Sequence, residues 1–159
     1  MEQDFSDVTI RAATNNDVER VKQLVFTTLR EYELSPDPET TDADLMDIEA
    51  SYLKRGGTFE VIEDAVGNLL GTVGLYPLDE ETCELRKMYF APKLRGRGLG
   101  RHMLERTINN ARRLGFKTMQ LETASVLEQA IKLYTRFEFK PFEAAHKSAR
   151  SDQTYFLNL

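Results

Sequence analysis

Apolar positions along the chain change their spacing many times, and each change marks a predicted element. Alternating or continuous apolar runs of strand length occur at residues 8–12, 59–62, 69–78, 84–90, 119–123, 139–142 and 154–159. Apolar residues recur at helical spacing over residues 16–32, 41–55, 99–114 and 125–137. The order β-α-α-β-β-β-α-β-α-β-β predicts an α/β (α+β) fold with a mixed sheet, in a single domain spanning residues 1–159.

Two of the helix starts have the pattern of a capping box, in which a small polar residue precedes a glutamate by three positions. Asn16 and Glu19 form this pattern at the first predicted helix, and Ser125 and Glu128 form it at the last. We expect each polar side chain to cap the helix that follows it.

The chain is organised around residues 84–116, where a strand, a glycine loop and a helix follow one another. Pro92 ends the strand because proline has no N–H, and Arg95-Gly96-Arg97-Gly98-Leu99-Gly100 then forms a basic loop. A helix with one apolar face follows directly. Glycines let the backbone approach an anion, and free N–H groups and the helix dipole attract it, so this arrangement predicts phosphate binding.

The charge distribution supports a small polyanionic ligand. Residues 86–117 contain ten of the 21 Lys and Arg residues and one acid, Glu105, whereas the whole chain has a net charge of −5. A local cationic patch on an acidic protein favours a small polyanion over a long nucleic acid. A solvated basic helix face, or a nucleic-acid-binding module using this segment, is the alternative.

The glycine spacing separates the possible phosphate ligands. A nucleotide-hydrolase loop requires G-x-x-x-x-G-K-[ST], which is not present. A dinucleotide-binding loop requires G-x-G-x-x-G, whereas Gly96, Gly98 and Gly100 have the spacing G-x-G-x-G. Glu122 ends the next predicted strand, so a nicotinamide-dinucleotide (NAD-type) cofactor stays open as an alternative.

The segment closely resembles the acetyl-coenzyme A loop of the GCN5-related N-acetyltransferase (GNAT) family, R/Q-x-x-G-x-G/A. Arg95, Gly98 and Gly100 occupy its three defined positions. The resemblance continues at both ends of the chain and in the order of elements, on these residues: Ile10, Arg11, Ala12, Ala13, Asp17, Leu133, Tyr134, Phe137 and Phe139.

Two positions depart from the family pattern. Glu138 stands where the family usually has glycine, which affects the turn after the last helix. Leu127 stands where the family often has an asparagine that contacts the cofactor. The resemblance otherwise implies a GNAT-like, mostly antiparallel sheet flanked by about four helices.

The resemblance implies an acetyl-CoA-dependent N-acetyltransferase, with acetyl-CoA as cosubstrate and a primary amine as acceptor. The implied cofactor-binding residues lie in the central strand and loop, at Met88, Tyr89, Phe90, Arg95, Gly96, Arg97, Gly98, Leu99, Gly100 and Arg101. Backbone groups of Met88 and Phe90 would bind the pantetheine arm and the acetyl carbonyl. Tyr134 would be the general acid, since a phenol keeps its proton at neutral pH and can donate it to the leaving thiolate.

Strand geometry offers a candidate for the general base, whose identity the sequence leaves open. Period-two alternation places Glu84 on the same face as Arg86, Met88 and Phe90, so it could deprotonate the amine; a salt bridge with Arg86 is the alternative. Glu122 is the second candidate. Cys83 would point away, so we expect direct attack by the amine in a ternary complex.

The acceptor side is predicted from an acidic segment. Residues 31–49 contain eight acids and no base: Glu31, Glu33, Asp37, Glu39, Asp42, Asp44, Asp47 and Glu49. In the family this region borders the acceptor site, so an acidic rim could attract a cationic small molecule or peptide. A solvated acidic face is the alternative.

Composition excludes several other classes. No apolar run reaches membrane-spanning length, and His102 and His146 are too scattered to predict a metal site. The lone Cys83, with no export signal at the start of the chain, predicts a cytoplasmic protein. The sequence leaves the acceptor amine and the oligomeric state open, a homodimer included.

Overall fold

The computed structural model describes residues 4–159, in which seven strands form one sheet. The strands are β1 (Val8–Ala12), β2 (Thr58–Asp64), β3 (Leu69–Pro77), β4 (Thr82–Phe90), β5 (Thr118–Thr123), β6 (Lys140–Pro141) and β7 (Gln153–Asn158). Their order is β1-β2-β3-β4-β5-β7-β6, and among these described strands only β4 and β5 pair in parallel. The predicted mixed, mostly antiparallel sheet is confirmed.

In the part of the chain that the structure describes, three α-helices and several short helical turns connect the strands. The helices are α1 (Val18–Glu31), α2 (Leu99–Arg113) and α3 (Glu128–Arg136). Single turns of 3₁₀ helix lie at Asn15–Asp17, Ala43–Met46 and Pro92–Leu94, and one π-helical turn lies at Glu49–Leu53. Within residues 4–159, no helix has both the length and the apolar character needed to cross a membrane.

The two faces of the sheet bury separate cores because strand side chains alternate between faces. On the first, the α2 face, the apolar stripe of α2 is buried, including Leu99, Met103 and Leu104. On the opposite α1 face, Val21, Val25 and Leu29 are buried together with Leu45, Ile48, Tyr52, Phe59 and Val61. Helical spacing therefore identified most of the inward-facing residues, but Leu114, expected on the apolar face of α2, is 50% exposed.

The predicted helix over residues 41–55 is wrong, although its apolar residues are buried as expected. Two separate turns replace it, because short acidic side chains bind nearby backbone N–H groups and compete with a helical ladder. Asp42 accepts the Asp37 N–H (2.8 Å), and Asp47 accepts the Ala50 N–H (2.9 Å).

Both predicted capping boxes are also corrected. The first forms two residues earlier, between Thr14 and Asp17. At the last helix, Ser125 bonds to Asp152 through its N–H (2.8 Å) and hydroxyl (2.7 Å), and α3 begins without a side-chain cap. Ser125 therefore anchors the 143–152 connection to the end of β5.

Candidate active site

The central feature of the sheet is a gap between β4 and β5. These strands pair only from Thr82 to Glu84 and from Thr118 to Gln120, after which they separate. A cavity of about 850 Å³ occupies the gap and extends over the glycine loop, the start of α3 and the 143–152 connection. It is large enough for an extended ligand and a second, smaller molecule.

The edge of β4 that faces this cavity is not paired with β5 beyond Glu84. The Ala91 N–H bonds to β3 (Leu70 O, 2.8 Å), whereas the Phe90 carbonyl points the other way, to Arg95 Nε (3.0 Å). Neighbouring residues in a strand direct their backbone groups to opposite sides. The backbone groups of Phe90 and Met88 therefore face the gap, as their predicted role requires.

The glycine loop has the conformation that close backbone approach needs. Gly96 (φ 77°) and Gly98 (φ 80°) are both left-handed, a region that residues with a Cβ adopt at a cost. Gly98 is the N-cap of α2 and makes no side-chain cap, so the first N–H groups of the helix stay open. Since both glycines line the cavity, the loop can hold a phosphate group there.

The loop arginines have structural partners. Arg95 pairs with Glu31, and its Nε donates to the Phe90 carbonyl. Arg97 forms a two-point ion pair with Asp7 (2.7 and 3.0 Å). These contacts fix the loop shape, so its anion affinity rests first on backbone N–H groups; Arg101 is exposed on α2.

Tyr134 lies on α3 with its ring buried and lines the cavity. Burial, and secondly the neighbouring Tyr89, raise the pKa of its phenol above the usual value. The phenol therefore stays protonated throughout the neutral range. The Phe139 ring packs against it, with the ring centres 5.7 Å apart.

Glu84 lines the cavity and forms a salt bridge with Arg86, which the sequence analysis gave as the alternative to a role as general base. Glu122 lines the cavity from β5, where its Oε1 accepts the Ser148 N–H (3.2 Å) and the Ser151 hydroxyl (3.3 Å). Both candidate bases therefore reach the same space.

One part of the alternation argument for β4 is wrong. Met88 and Phe90 pack with the core on the α2 face, not on the side of Glu84 and Arg86. The cause is a bulge at Lys87 (φ 55°), which shifts the β3–β4 register by one residue. Tyr89 consequently packs on the α1 face, and it also lines the cavity.

The acidic segment does not form a free acidic rim. Asp42 is fully buried and binds Arg150 through two 2.7 Å hydrogen bonds. Asp44 binds the Tyr52 hydroxyl and lies 3.2 Å from Lys87 Nζ. Most of the other acids cap turns or pair with arginine, so their charges are used within the fold.

Two functional-site residues escaped the sequence analysis, Lys87 and Arg150. Arg150 lines the cavity from the 143–152 connection and contacts Asp42 across 108 positions of sequence. No local pattern links residues so far apart. The sequence contained one indication of such a pair, namely that residues 31–49 contain eight acids and no basic residue. Any of these carboxylates that is buried requires a cationic partner from elsewhere in the chain.

Replacing Asp42 tests this structural role. Because Asp42→Asn removes the carboxylate that pairs with Arg150 and leaves Lys87 with Asp44 alone, we expect the free energy of unfolding to fall by about 3 kcal/mol. Glu39→Gln, an exposed position in the same segment, is the control and should change little. Denaturant unfolding measures both, and equal midpoints would contradict the assignment.

The pH dependence of the free energy of unfolding is a second test of the structural role of Asp42. Burial opposes ionisation of Asp42, but the Arg150 and Asp37 hydrogen bonds and Lys87 lower its pKa overall. A lowered folded-state pKa contributes stability above the unfolded value of about 3.9, and that stability is lost as the pH falls further. Asp42→Asn should therefore weaken the loss of stability below about pH 4.

Cys83 is excluded as a nucleophile by its surroundings. It is fully buried, and burial raises the pKa of its thiol to about 12. Its Sγ lies 3.6 Å from the Thr118 carbonyl, away from the cavity lining. The thiolate needed for covalent catalysis is therefore scarce.

Comparisons with known proteins agree with this architecture. The sequence model of the acetyltransferase (GNAT) family matches residues 22–139. An uncharacterized N-acetyltransferase of Escherichia coli, YjgM, is 33% identical over 141 residues, covering 86% of this chain and 84% of its own. The chain belongs to the GNAT family and is an N-acetyltransferase.

Solved structures share the fold. An acetyltransferase of the GNAT family from Staphylococcus aureus superposes with a TM-score of 0.88 at 22% identity, covering 95% of this chain and 98% of its own. The protein yncA from Salmonella typhimurium, solved with acetyl-CoA, has a TM-score of 0.74 at 22% identity, covering 96% of this chain and 94% of its own. The predicted GNAT-like fold is confirmed.

Proposed function

We propose that this protein transfers the acetyl group of acetyl-CoA directly to a primary amine of a small molecule or peptide. The observation that carries the proposal is the β4–β5 gap, which joins a backbone anion site at Gly98 to the open edge of β4. A pyrophosphate at the loop would direct the pantetheine arm along β4. The thioester carbonyl would then lie near the Met88 and Phe90 backbone, where N–H donors stabilise developing negative charge.

The proposed reaction needs two proton transfers. The amine loses a proton to a carboxylate, and its nitrogen attacks the carbonyl carbon of the thioester. The carbon–sulfur bond then breaks, and the leaving sulfur takes the proton of the Tyr134 hydroxyl. The proton held by the carboxylate afterwards returns to Tyr134 through solvent, which restores both groups. Direct attack is favoured because the buried, protonated Cys83 offers no competing nucleophile.

We assign the base to Glu84, with Glu122 as the alternative. Glu84→Gln should lower kcat/KM about tenfold, which is below the usual range for general bases because Glu122 faces the same cavity. Glu122→Gln, matched in chemistry, should have a smaller effect. Initial rates with both variants check the assignment, and a larger loss with Glu122→Gln would reverse it.

The acceptor amine would approach between these two carboxylates. Glu84 and Glu122 line the cavity, as does Glu128 at the start of α3, whereas Asp42 and Asp44 pair with Lys87 and Arg150 and do not line it. A cationic acceptor, if used, would therefore be attracted by Glu84 and Glu122 and not by residues 31–49.

Titration calorimetry tests the proposed cosubstrate. We expect acetyl-CoA to bind with one-to-one stoichiometry, and reduced nicotinamide cofactor and short DNA or RNA to show no comparable binding. Tighter binding of the nicotinamide cofactor would favour the dinucleotide alternative. Tight, strongly salt-dependent binding of nucleic acid would favour the basic helix as a nucleic-acid surface.

A further inference from the structure

Lys87 lines the cavity and has a strained backbone conformation. Its φ of 55° is left-handed, a conformation that residues with a Cβ rarely adopt. The pairing of β3 with β4 shows why, since Gly74 faces Arg86 and Thr72 faces Tyr89. Val73 therefore lies opposite two residues, Lys87 and Met88, and β4 contains a bulge there.

The bulge determines what the strand presents to the cavity. It reverses the alternation after Lys87, so Met88 and Phe90 turn their side chains into the α2-face core. Their backbone groups face the gap as described above. Without the extra residue the strand would pair in a different register, and the N–H groups beside the thioester would be displaced.

The side chain of Lys87 is held at its charged end. Its Nζ lies 3.2 Å from Asp42 Oδ1, 3.2 Å from Asp44 Oδ1 and 3.2 Å from the Thr41 carbonyl, and the side chain is 4% exposed. Its own carbonyl accepts a buried 2.7 Å hydrogen bond from the Thr72 hydroxyl. Both ends of the residue are thereby fixed.

Surface hydration does not explain this arrangement, because a buried lysine loses its hydration on folding. Strained conformations persist where the surroundings enforce them, and they concentrate at functional sites. Here Asp42 also binds Arg150, so the same carboxylate joins the β4 bulge to the 143–152 connection. Asp42 thus anchors both of these parts of the cavity lining.

We propose that Lys87 is a positioning residue, whose ammonium group, held by Asp42 and Asp44, keeps the β4 bulge in the conformation that aims the Met88 N–H at the thioester carbonyl. This inference rests on the proposed function. Lys87 itself exchanges no proton and contacts no reacting atom in this role; it acts through the backbone of the next residue.

A comparison of glycine and alanine at position 87 separates backbone geometry from charge. Lys87→Gly and Lys87→Ala both remove the ammonium, but only glycine adopts a left-handed φ without cost. Each is made with Asp44→Asn, so that removing the lysine does not leave an unpaired buried carboxylate beside the Asp42–Arg150 pair. We expect kcat to be about tenfold lower with alanine than with glycine.

Two measurements exclude a general loss of structure. CoA lacks the acetyl carbonyl and would keep its pyrophosphate contacts at the glycine loop, so its affinity should differ less between the two variants than kcat does. Glu138 is a matched control position because it also has a left-handed φ (69°). Unlike Lys87, it is exposed and lies outside the cavity lining. Glu138→Gly and Glu138→Ala should differ in thermal midpoint but share the same kcat.

Crystal structures of the two Lys87 variants provide a readout that does not depend on activity. The bulge should persist with glycine and flatten with alanine, which would support the anchor even if the proposed reaction were wrong. A bulge retained in both variants, or equal kcat values despite a flattened strand, would overturn the inference. Failure of the native protein to bind acetyl-CoA would instead refute the proposed function.

Discussion

Tyr134→Phe is expected to lower kcat about 100-fold, the lower end of the range for general acid catalysis. The substitution removes one oxygen, so the packing of the ring against Phe139 should survive. A thiolate is a tolerable leaving group even when unprotonated, which keeps the expected loss at the lower end. Burial raises the pKa of this phenol, so the acid is fully protonated at neutral pH.

The control for this variant is another tyrosine outside the cavity lining. The Tyr155 hydroxyl donates to Gln153 (2.6 Å) on β7, and Tyr155→Phe should leave kcat unchanged. Acetyl-CoA affinity and thermal midpoint should be native-like in Tyr134→Phe. A folded, cofactor-binding variant slowed less than about threefold would make Tyr134 an ordinary core residue, with water supplying the proton.

Gly98→Val should weaken acetyl-CoA binding at least about tenfold, or about 1.4 kcal/mol. Gly98 has a left-handed φ of 80° at the start of α2, and a β-branched residue there must either strain the backbone or change its direction. Either outcome moves the N–H groups that would bind the pyrophosphate. Calorimetry on the folded variant measures the affinity.

Gly115→Val supplies the matched control for backbone strain. Gly115 is also left-handed (φ 92°), but it follows α2 at its far end and does not line the cavity. Both variants should lose stability, whereas only Gly98→Val should lose affinity. Equal acetyl-CoA affinity in the two variants would contradict the phosphate-loop assignment.

The strands of the sheet could be predicted well because the burial of each strand face determines the spacing of its apolar residues. The alternation in β5 and the apolar run of β3 reflect which faces are buried, and both strands lie within a residue of their predicted bounds. The glycine loop could be predicted equally well. Left-handed positions such as Gly98 favour glycine, so the residue type itself indicates the backbone conformation.

Other parts of the site could not be predicted because residue type did not reveal them. A left-handed lysine has no sequence signature, so the bulge at Lys87 and the reversed alternation after it were missed. The ion pair of Asp42 with Arg150 depends on tertiary packing alone. For the same reason, a segment rich in acids suggested a cation-binding rim, although Asp42 and Asp44 hold the fold together.

The most direct test of the account is a reaction of the native protein with acetyl-CoA and a panel of amines. The panel should include amino acids, polyamines, amine-bearing antibiotics and peptides with free amino groups, with thiol release and product mass both measured. We predict that at least one amine becomes acetylated and that one thiol is released for each acetyl group transferred. Thiol release with no acetylated amine, or no reaction with any member, would contradict acetyl transfer in the β4–β5 gap.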